Sequence, residues 1–150
     1  MSEIRTSLEV GFADGKLPER FAGLRGREYR AIAPVESFPY ADGQFEVVMI
    51  EGAAVNRASV KEAHRVLKPS GRLYFIVPEK TAKQAGFSMP DVYATVREGF
   101  DIVELERPPW WWFGRRGRTL MICAQKKSWR NYRGLVRDGG VTLAPFRGDK

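Results

Sequence analysis

Two short apolar runs, residues 45–50 (Phe-Glu-Val-Val-Met-Ile) and 73–77 (Leu-Tyr-Phe-Ile-Val), flank a stretch that patterns as a single helix. Runs of this length, rich in β-branched and aromatic residues, mark strands buried on both faces, and such strands belong to mainly parallel sheets covered by helices. Between them, Ser59-Val60-Lys61-Glu62 reads as a capping box, with serine and glutamate satisfying the free amides of a helix start. Val60, Ala63 and Leu67 then share one helical face, and Pro69 and Gly71 are expected to stop the helix.

The same alternation extends both ways. Residues 7–10 read as a strand closed by Gly11 and Gly15, residues 18–24 as a helix closed by Gly26, and residues 28–33 as a strand stopped by Pro34. A second helix is predicted over 90–98. Residues 100–105 and 119–124 read as an antiparallel strand pair joined by a long loop, 107–118, and the tail from Ser128 onward as irregular. Strand–helix alternation predicts an α/β domain with helices on both faces of the sheet. In such sheets ligands sit beyond the carboxyl ends of the strands.

The bulk properties narrow the chemistry. At 150 residues the chain has the length of one domain. Its apolar runs fall far short of the ~20 residues that cross a bilayer, and residues 1–6 hold no apolar stretch of signal-peptide length. The single cysteine, Cys123, forms no internal disulfide, so a reducing cytoplasm is the expected compartment. One cysteine and one histidine, His64, provide no cluster for zinc. No Gly-x-Ser-x-Gly turn is present. His64, between Lys61 and Arg65 on the predicted helix, reads as a structural surface residue. The net charge of +7 is concentrated late: residues 107–150 hold 11 Lys/Arg and 2 Asp/Glu, against 14 and 16 in residues 1–106.

Leu8-Glu9-Val10-Gly11-Phe12-Ala13-Asp14-Gly15 places a small-residue loop between a first strand and a helix. Gly11 and Gly15 permit a tight turn and close backbone approach to a ligand, and Glu9 offers a carboxylate to a ligand ammonium. A plain strand-to-helix turn accounts for the same residues. Context comes from two further segments. Phe38-Pro39-Tyr40-Ala41-Asp42-Gly43-Gln44-Phe45-Glu46-Val47-Val48 resembles the Leu-Pro-Phe-x-Asp-Gly-x-Phe-Asp-Val-Val segment of class I S-adenosylmethionine (SAM)-dependent methyltransferases of the type 11 group. Arg65-Val66-Leu67-Lys68-Pro69-Ser70-Gly71-Arg72-Leu73 resembles that family's Arg-Val-Leu-Lys-Pro-Gly-Gly-x-Leu, one helix further on.

The resemblance covers residues 7–125. It implies a Rossmann-like domain over 1–125, followed by a basic tail, 126–150. It implies a sheet ordered 2-1-4-5-7-6 in the family's strand numbering, with the last strand antiparallel. It also implies SAM as cofactor and methyl transfer to an acceptor the sequence does not name. On this resemblance Glu9, Gly11, Ala13 and Gly15 fall at the cofactor loop. The family's second strand ends in an acid that holds the ribose hydroxyls, and here Ala33 stands in its place. Only Val35, Glu36 and Ser37 intervene where the family inserts a helix and its edge strand 3, so that strand and the N-terminal helices are expected to be missing. Glu36 is then the candidate for the adenine side. Glu51, just past the fourth strand, is the candidate catalytic carboxylate, placed to orient or deprotonate a nucleophile; a solvated strand-end acid is the plain alternative.

The stretch from Pro108 to Arg118 is the most unusual in composition. Trp110, Trp111 and Trp112 with Arg115, Arg116 and Arg118 suit a protein interface, including a homodimer. Aromatic faces beside arginines also suit stacking on nucleic acid. Two functional readings follow. One is a SAM-dependent methyltransferase-like protein with an eroded cofactor site. The other is a non-catalytic relative, a pseudoenzyme that binds a partner through this stretch and the basic tail.

Overall fold

A sheet whose central strands carry no polar face must be covered on both sides, and the computed structural model, which describes residues 4–12, 16–106 and 119–127, is organised around that requirement. The strands are β1 (Thr6–Val10), β2 (Glu28–Ile32), β3 (Phe45–Ile50), β4 (Leu67–Pro78), β5 (Phe100–Glu106) and β6 (Thr119–Lys126). The helices are α1 (Glu19–Ala22), α2 (Arg57–Val66) and α3 (Met89–Val96), with a 3-10 turn at Gly52–Ala54. The six strands form one sheet in the order β2-β1-β3-β4-β6-β5. The pairs β1–β2, β1–β3 and β3–β4 are parallel, and β6 runs antiparallel to both β4 and β5. The strand order and the parallel or antiparallel sense of each pair are those expected from the sequence.

One face of the sheet carries the larger core. Leu8, Val10, Val48, Ile50, Leu73, Phe75 and Val77 pack there with Val60, Ala63 and Val66 of α2 and Val92 and Val96 of α3. The other face is thinner: Val47 and Met49 lie under Phe21 of the one-turn α1, with Phe12, Leu17, Leu24, Tyr74 and Ile76 around them. Phe12, at the centre of the first loop, packs edge-on against Phe21 with ring centroids 6.3 Å apart. Helices on both faces were expected; among the described residues the second face has a single turn, because the predicted helix over 18–24 shortens to Glu19–Ala22.

The helix start and stop signals act differently from their sequence reading. α2 begins a turn earlier than Ser59, at an Asn56 cap. The Ser59 N–H donates to Asn56 Oδ1 at 2.9 Å and the Asn56 N–H to Ser59 Oγ at 3.0 Å, so the box is Asn56–Ser59, not Ser59–Glu62. Asparagine and serine both cap well, and the earlier one wins by adding a turn. Pro69 and Gly71 do not end the helix either. α2 gives way to β4 at Leu67, and these residues form a bulge: Phe45 pairs with Leu67, and Val47 pairs next with Arg72. Within it Ser70 adopts φ 66°, where the family pattern has glycine.

The Glu62 freed by this shift takes another role. Its Oε1 accepts from the Phe38 N–H at 2.8 Å. Arg65 donates to Glu62, to the Phe38 and Tyr40 carbonyls at 2.8 and 2.9 Å, and to Asp42 at 2.7 Å. The Arg65 guanidinium beside it holds the Glu62 carboxyl below the usual range. This grip fastens residues 33–44, the short linker between β2 and β3, over the core, where Phe38 is buried.

Two outcomes test these assignments. Ser70→Gly relieves a left-handed residue that costs roughly 1–2 kcal/mol, partly offset by glycine's greater unfolded freedom. Chemical denaturation is expected to show a gain of about 1 kcal/mol. Arg65→Ala leaves two carbonyls and a carboxylate without their donor and is expected to lose about 2 kcal/mol in the same assay, nearly all of it from Phe38, Tyr40 and Glu62. The Asp42 pair is exposed and adds little.

Candidate functional site

The carboxyl ends of β1, β2 and β3 meet at Gly11. Its N–H donates to the Ile32 carbonyl at 2.9 Å, and the Glu51 N–H donates to the Val10 carbonyl at 2.9 Å, so the three strand ends are tied together. Gly11 sits at φ 85°, a conformation that favours glycine. A Cβ there would stand 3.4 Å from Pro34 Cγ, Glu51 Cβ and Ala54 Cβ. A Cβ would thus meet its neighbours at ordinary contact distance, and it is the backbone conformation, not crowding, that calls for glycine. Gly52 is required too, since a Cβ on it would collide with the Ile76 carbonyl.

Beside Gly11 opens a notch of about 190 Å³ lined by Val10, Pro34, Val35, Glu36, Ala54, Asn56, Ala58 and Ser59. Glu36 is exposed at its wall. Glu51 caps the 3-10 turn, its Oε1 accepting from the Ala53 N–H at 2.8 Å. The structure thus brings Gly11, Glu36 and Glu51 to one end of the sheet. Ala33, at the end of β2, is exposed and offers no carboxylate. Ala13 and Gly15 of the first loop lie outside the described residues, as do Trp110, Trp111, Trp112, Arg115, Arg116 and Arg118.

Glu9 is placed elsewhere. Its side chain is fully buried and does not line the notch, and both carboxylate oxygens are taken by Arg25, at 2.6 Å from Nε and 2.7 Å from Nη2. A bidentate pair of this kind is the geometry that makes burial of a carboxylate tolerable. The bond to Glu9 raises the Arg25 pKa above its ordinary value, and the guanidinium lies 4.2 Å from the centre of the Tyr29 ring. Spacing along the strand did not reveal this partner, because Arg25 arrives from the far end of the α1 segment.

Of the notch residues only Glu36 was a sequence candidate, and Pro34, Ala54 and Asn56 are among those that sequence reasoning missed. The two apolar ones carry no motif. Asn56 was hidden by the stronger-looking capping pattern three residues on, and with its Oδ1 bound to Ser59 it keeps Nδ2 for another acceptor.

His64 and Cys123 lie away from this end. His64 packs edge-on against Phe100 at 5.4 Å and lines a cleft of about 390 Å³ between α2 and α3 with Lys61, Thr95 and Glu98. Burial first, then the Lys126 charge, lowers its pKa. Burial pushes the Cys123 thiol up, which makes it a poor nucleophile. Among the described residues no group of His, Cys, Asp or Glu is arranged to hold a metal ion, and no helix is long and apolar enough to cross a membrane.

Residues 8–75 match the model of a family described as a methyltransferase domain. Solved structures match over more of the chain. A SAM-dependent methyltransferase from Methanosarcina mazei is 14% identical, with 85% of this chain and 94% of that one covered at a TM-score of 0.64. The fold is that of the class I methyltransferases. The Burkholderia thailandensis 1,6-didemethyltoxoflavin-N1-methyltransferase, solved with its substrate and S-adenosylhomocysteine, is 18% identical, covering 84% and 72% at a TM-score of 0.62. A complex between the Haloferax volcanii Trm112 methyltransferase activator and a protein assigned as a methyltransferase matches at 14% identity, covering 84% of each chain, with a TM-score of 0.62. No curated protein matches the sequence. Among the described residues the strand order β2-β1-β3-β4-β6-β5 corresponds to the 2-1-4-5-7-6 that the resemblance implies, with β2 at one edge.

The histidine gives this methyltransferase fold a pH signature. A folded pKa below the unfolded value near 6.5 means the unfolded chain binds the proton first, so stability is full above that value and falls as pH drops through the folded pKa. Denaturant titrations between pH 7.5 and 5.5 are expected to show this loss in the wild type and a flatter profile in His64→Gln.

Proposed function

We propose that the chain binds SAM weakly at the Gly11 end of the sheet and transfers its methyl group to an acceptor whose chemistry the site does not specify. The observation that carries this reading is the convergence of Gly11, Glu36 and Glu51 on the three strand ends, on a fold shared with SAM-dependent enzymes.

The described residues suit one end of the cofactor. Val10, Pro34 and Ala54 give apolar walls for a ring, and Glu36 and the Asn56 amide supply an acceptor and a donor at the rim. At about 190 Å³ the notch is smaller than the roughly 300–1,000 Å³ of pockets that enclose a whole small ligand. Ala33 supplies no ribose anchor. Weak binding follows from both facts. Contacts from Ala13 and Gly15 complete this proposal, whereas Glu9, committed to Arg25, acts as a positioning residue under the loop.

SAM, when bound, supplies a sulfonium methyl that needs little activation beyond alignment with a nucleophile. Glu51 then has a defined task. Its Oε1 is fixed by the Ala53 amide, and Oε2 accepts the proton of an acceptor group approaching from the β3 end. The same proposal places partner binding, as a homodimer or with another protein, at Trp110, Trp111, Trp112, Arg115, Arg116 and Arg118, and places the chain in the cytoplasm, where a lone buried Cys123 suits a reducing compartment.

Calorimetric titration of SAM into the full chain tests the reading. The expected dissociation constant is weaker than micromolar. Restoring the carboxylate with Ala33→Asp is expected to tighten it by about 10–100-fold, the equivalent of one charged hydrogen-bond pair at roughly 1.5–3 kcal/mol. Sub-micromolar binding by the wild type refutes the eroded site. No heat at millimolar SAM with either protein refutes SAM binding and leaves a non-catalytic relative.

A further inference from the structure

Among the described residues β2 has no strand on its outer side, and its charges do not blunt this edge in the way they suggest. β2 is exposed along Glu28–Ala31, with Tyr29 44% exposed. The Glu28 N–H donates to the Arg5 carbonyl and the Ile32 carbonyl accepts from Gly11, both at 2.9 Å. In a parallel ladder alternate residues turn both main-chain groups to the same neighbour, so Glu28, Arg30 and Ile32 face β1 while Tyr29 and Ala31 present theirs outward. Among the described residues the Tyr29 carbonyl is met only by the exposed Arg30 Nη1, at 3.1 Å.

We infer that this edge pairs with the same edge of a second copy, antiparallel, about a twofold axis at Tyr29. A closed pair formed from one edge must be isologous, which makes the two strands antiparallel. Outward-facing residues must oppose outward-facing ones, which puts the axis at a residue rather than between two; along the exposed run an axis at Glu28 sets Glu28 against Glu28 of the second copy, where like charges destabilise, and Tyr29, Arg30 and Ala31 remain. An axis at Arg30 sets Arg30 against Arg30 of the second copy, directly across the ladder, where like charges destabilise. An axis at Ala31 sets Arg30 against Ile32 and Glu28 against Pro34, without any charge pairing. An axis at Tyr29 sets Glu28 against Arg30 of the second copy twice, on one face of the joined sheet, and Tyr29 against Tyr29 on the other. Each Tyr29 ring is already held by the Arg25 guanidinium at 4.2 Å, so little side-chain freedom is lost on pairing. Arg30 exchanges an exposed bond to its neighbour's carbonyl for a carboxylate, and the freed Tyr29 carbonyl takes the partner strand's N–H. Charge therefore selects both the occupant, a second copy, and the register.

Sedimentation equilibrium of the full chain, with reciprocal charge variants, tests the pairing. The wild type is expected to show a reversible monomer–dimer equilibrium. Glu28→Arg alone and Arg30→Glu alone each place like charges opposite twice and are expected to weaken dimerisation by about tenfold or more. Mixing the two single variants restores both ion pairs and is expected to yield a one-to-one heterodimer; the double variant is expected to regain the homodimer. Both side chains are exposed, and circular dichroism confirms that the variants fold. A monomeric wild type overturns the proposal. A dimer indifferent to the single reversals, which places the contact elsewhere, overturns it as well. So do single-variant losses that mixing fails to rescue.

Discussion

The Arg65 guanidinium, reaching from α2 to two carbonyls and two carboxylates, is the interaction on which this shortened fold depends. The resemblance to larger relatives implies a helix and a strand between β2 and β3, and here residues 33–44 must span that gap alone. A linker of this kind has no ladder to satisfy its amides. Arg65 takes the Phe38 and Tyr40 carbonyls, and Glu62 takes the Phe38 N–H. The reward for fixing the linker is apolar: Phe38 enters the main core and Tyr40 packs edge-on against Phe45 at 5.1 Å. One charged side chain thus substitutes for a supersecondary unit, at the level of both hydrogen bonding and burial.

Much of this architecture was legible because it is written in short-range periodicity. The apolar run at 45–50 could only be a buried strand, and β3 spans Phe45–Ile50. The paired segments around Asp42 and Pro69 carried the strand order. What escaped was set by competition between adjacent signals or by distant partners. Asn56 and Ser59 both cap helices, and pattern alone could not rank them. Pro69 and Gly71 stop a helix and also form a bulge, and the neighbouring strand β3 decided between these. Glu9 looked like a ligand contact because its position on the strand says nothing of Arg25, sixteen residues away.

At the candidate site the same division holds. Gly11 was legible from the need for a tight turn, and its φ of 85° bears that need out. That Pro34, Glu51 and Ala54 are its neighbours was not, since they come from other loop ends that no local pattern brings together.

The placement of β6 has a consequence for how the molecule comes into being. Among the described residues the strand latest in sequence, Thr119–Lys126, lies inside the sheet between β4 and β5, and β5 pairs with β6 alone. As the chain leaves the ribosome, β1 to β4 can assemble while Phe100–Glu106 still has no ladder to join. Until Lys126 has emerged, the apolar residues of β4 form an open rim, and only insertion of the final strand closes it. Closure of the described sheet therefore waits on a strand made late, and a chain truncated short of Thr119 would leave that rim exposed.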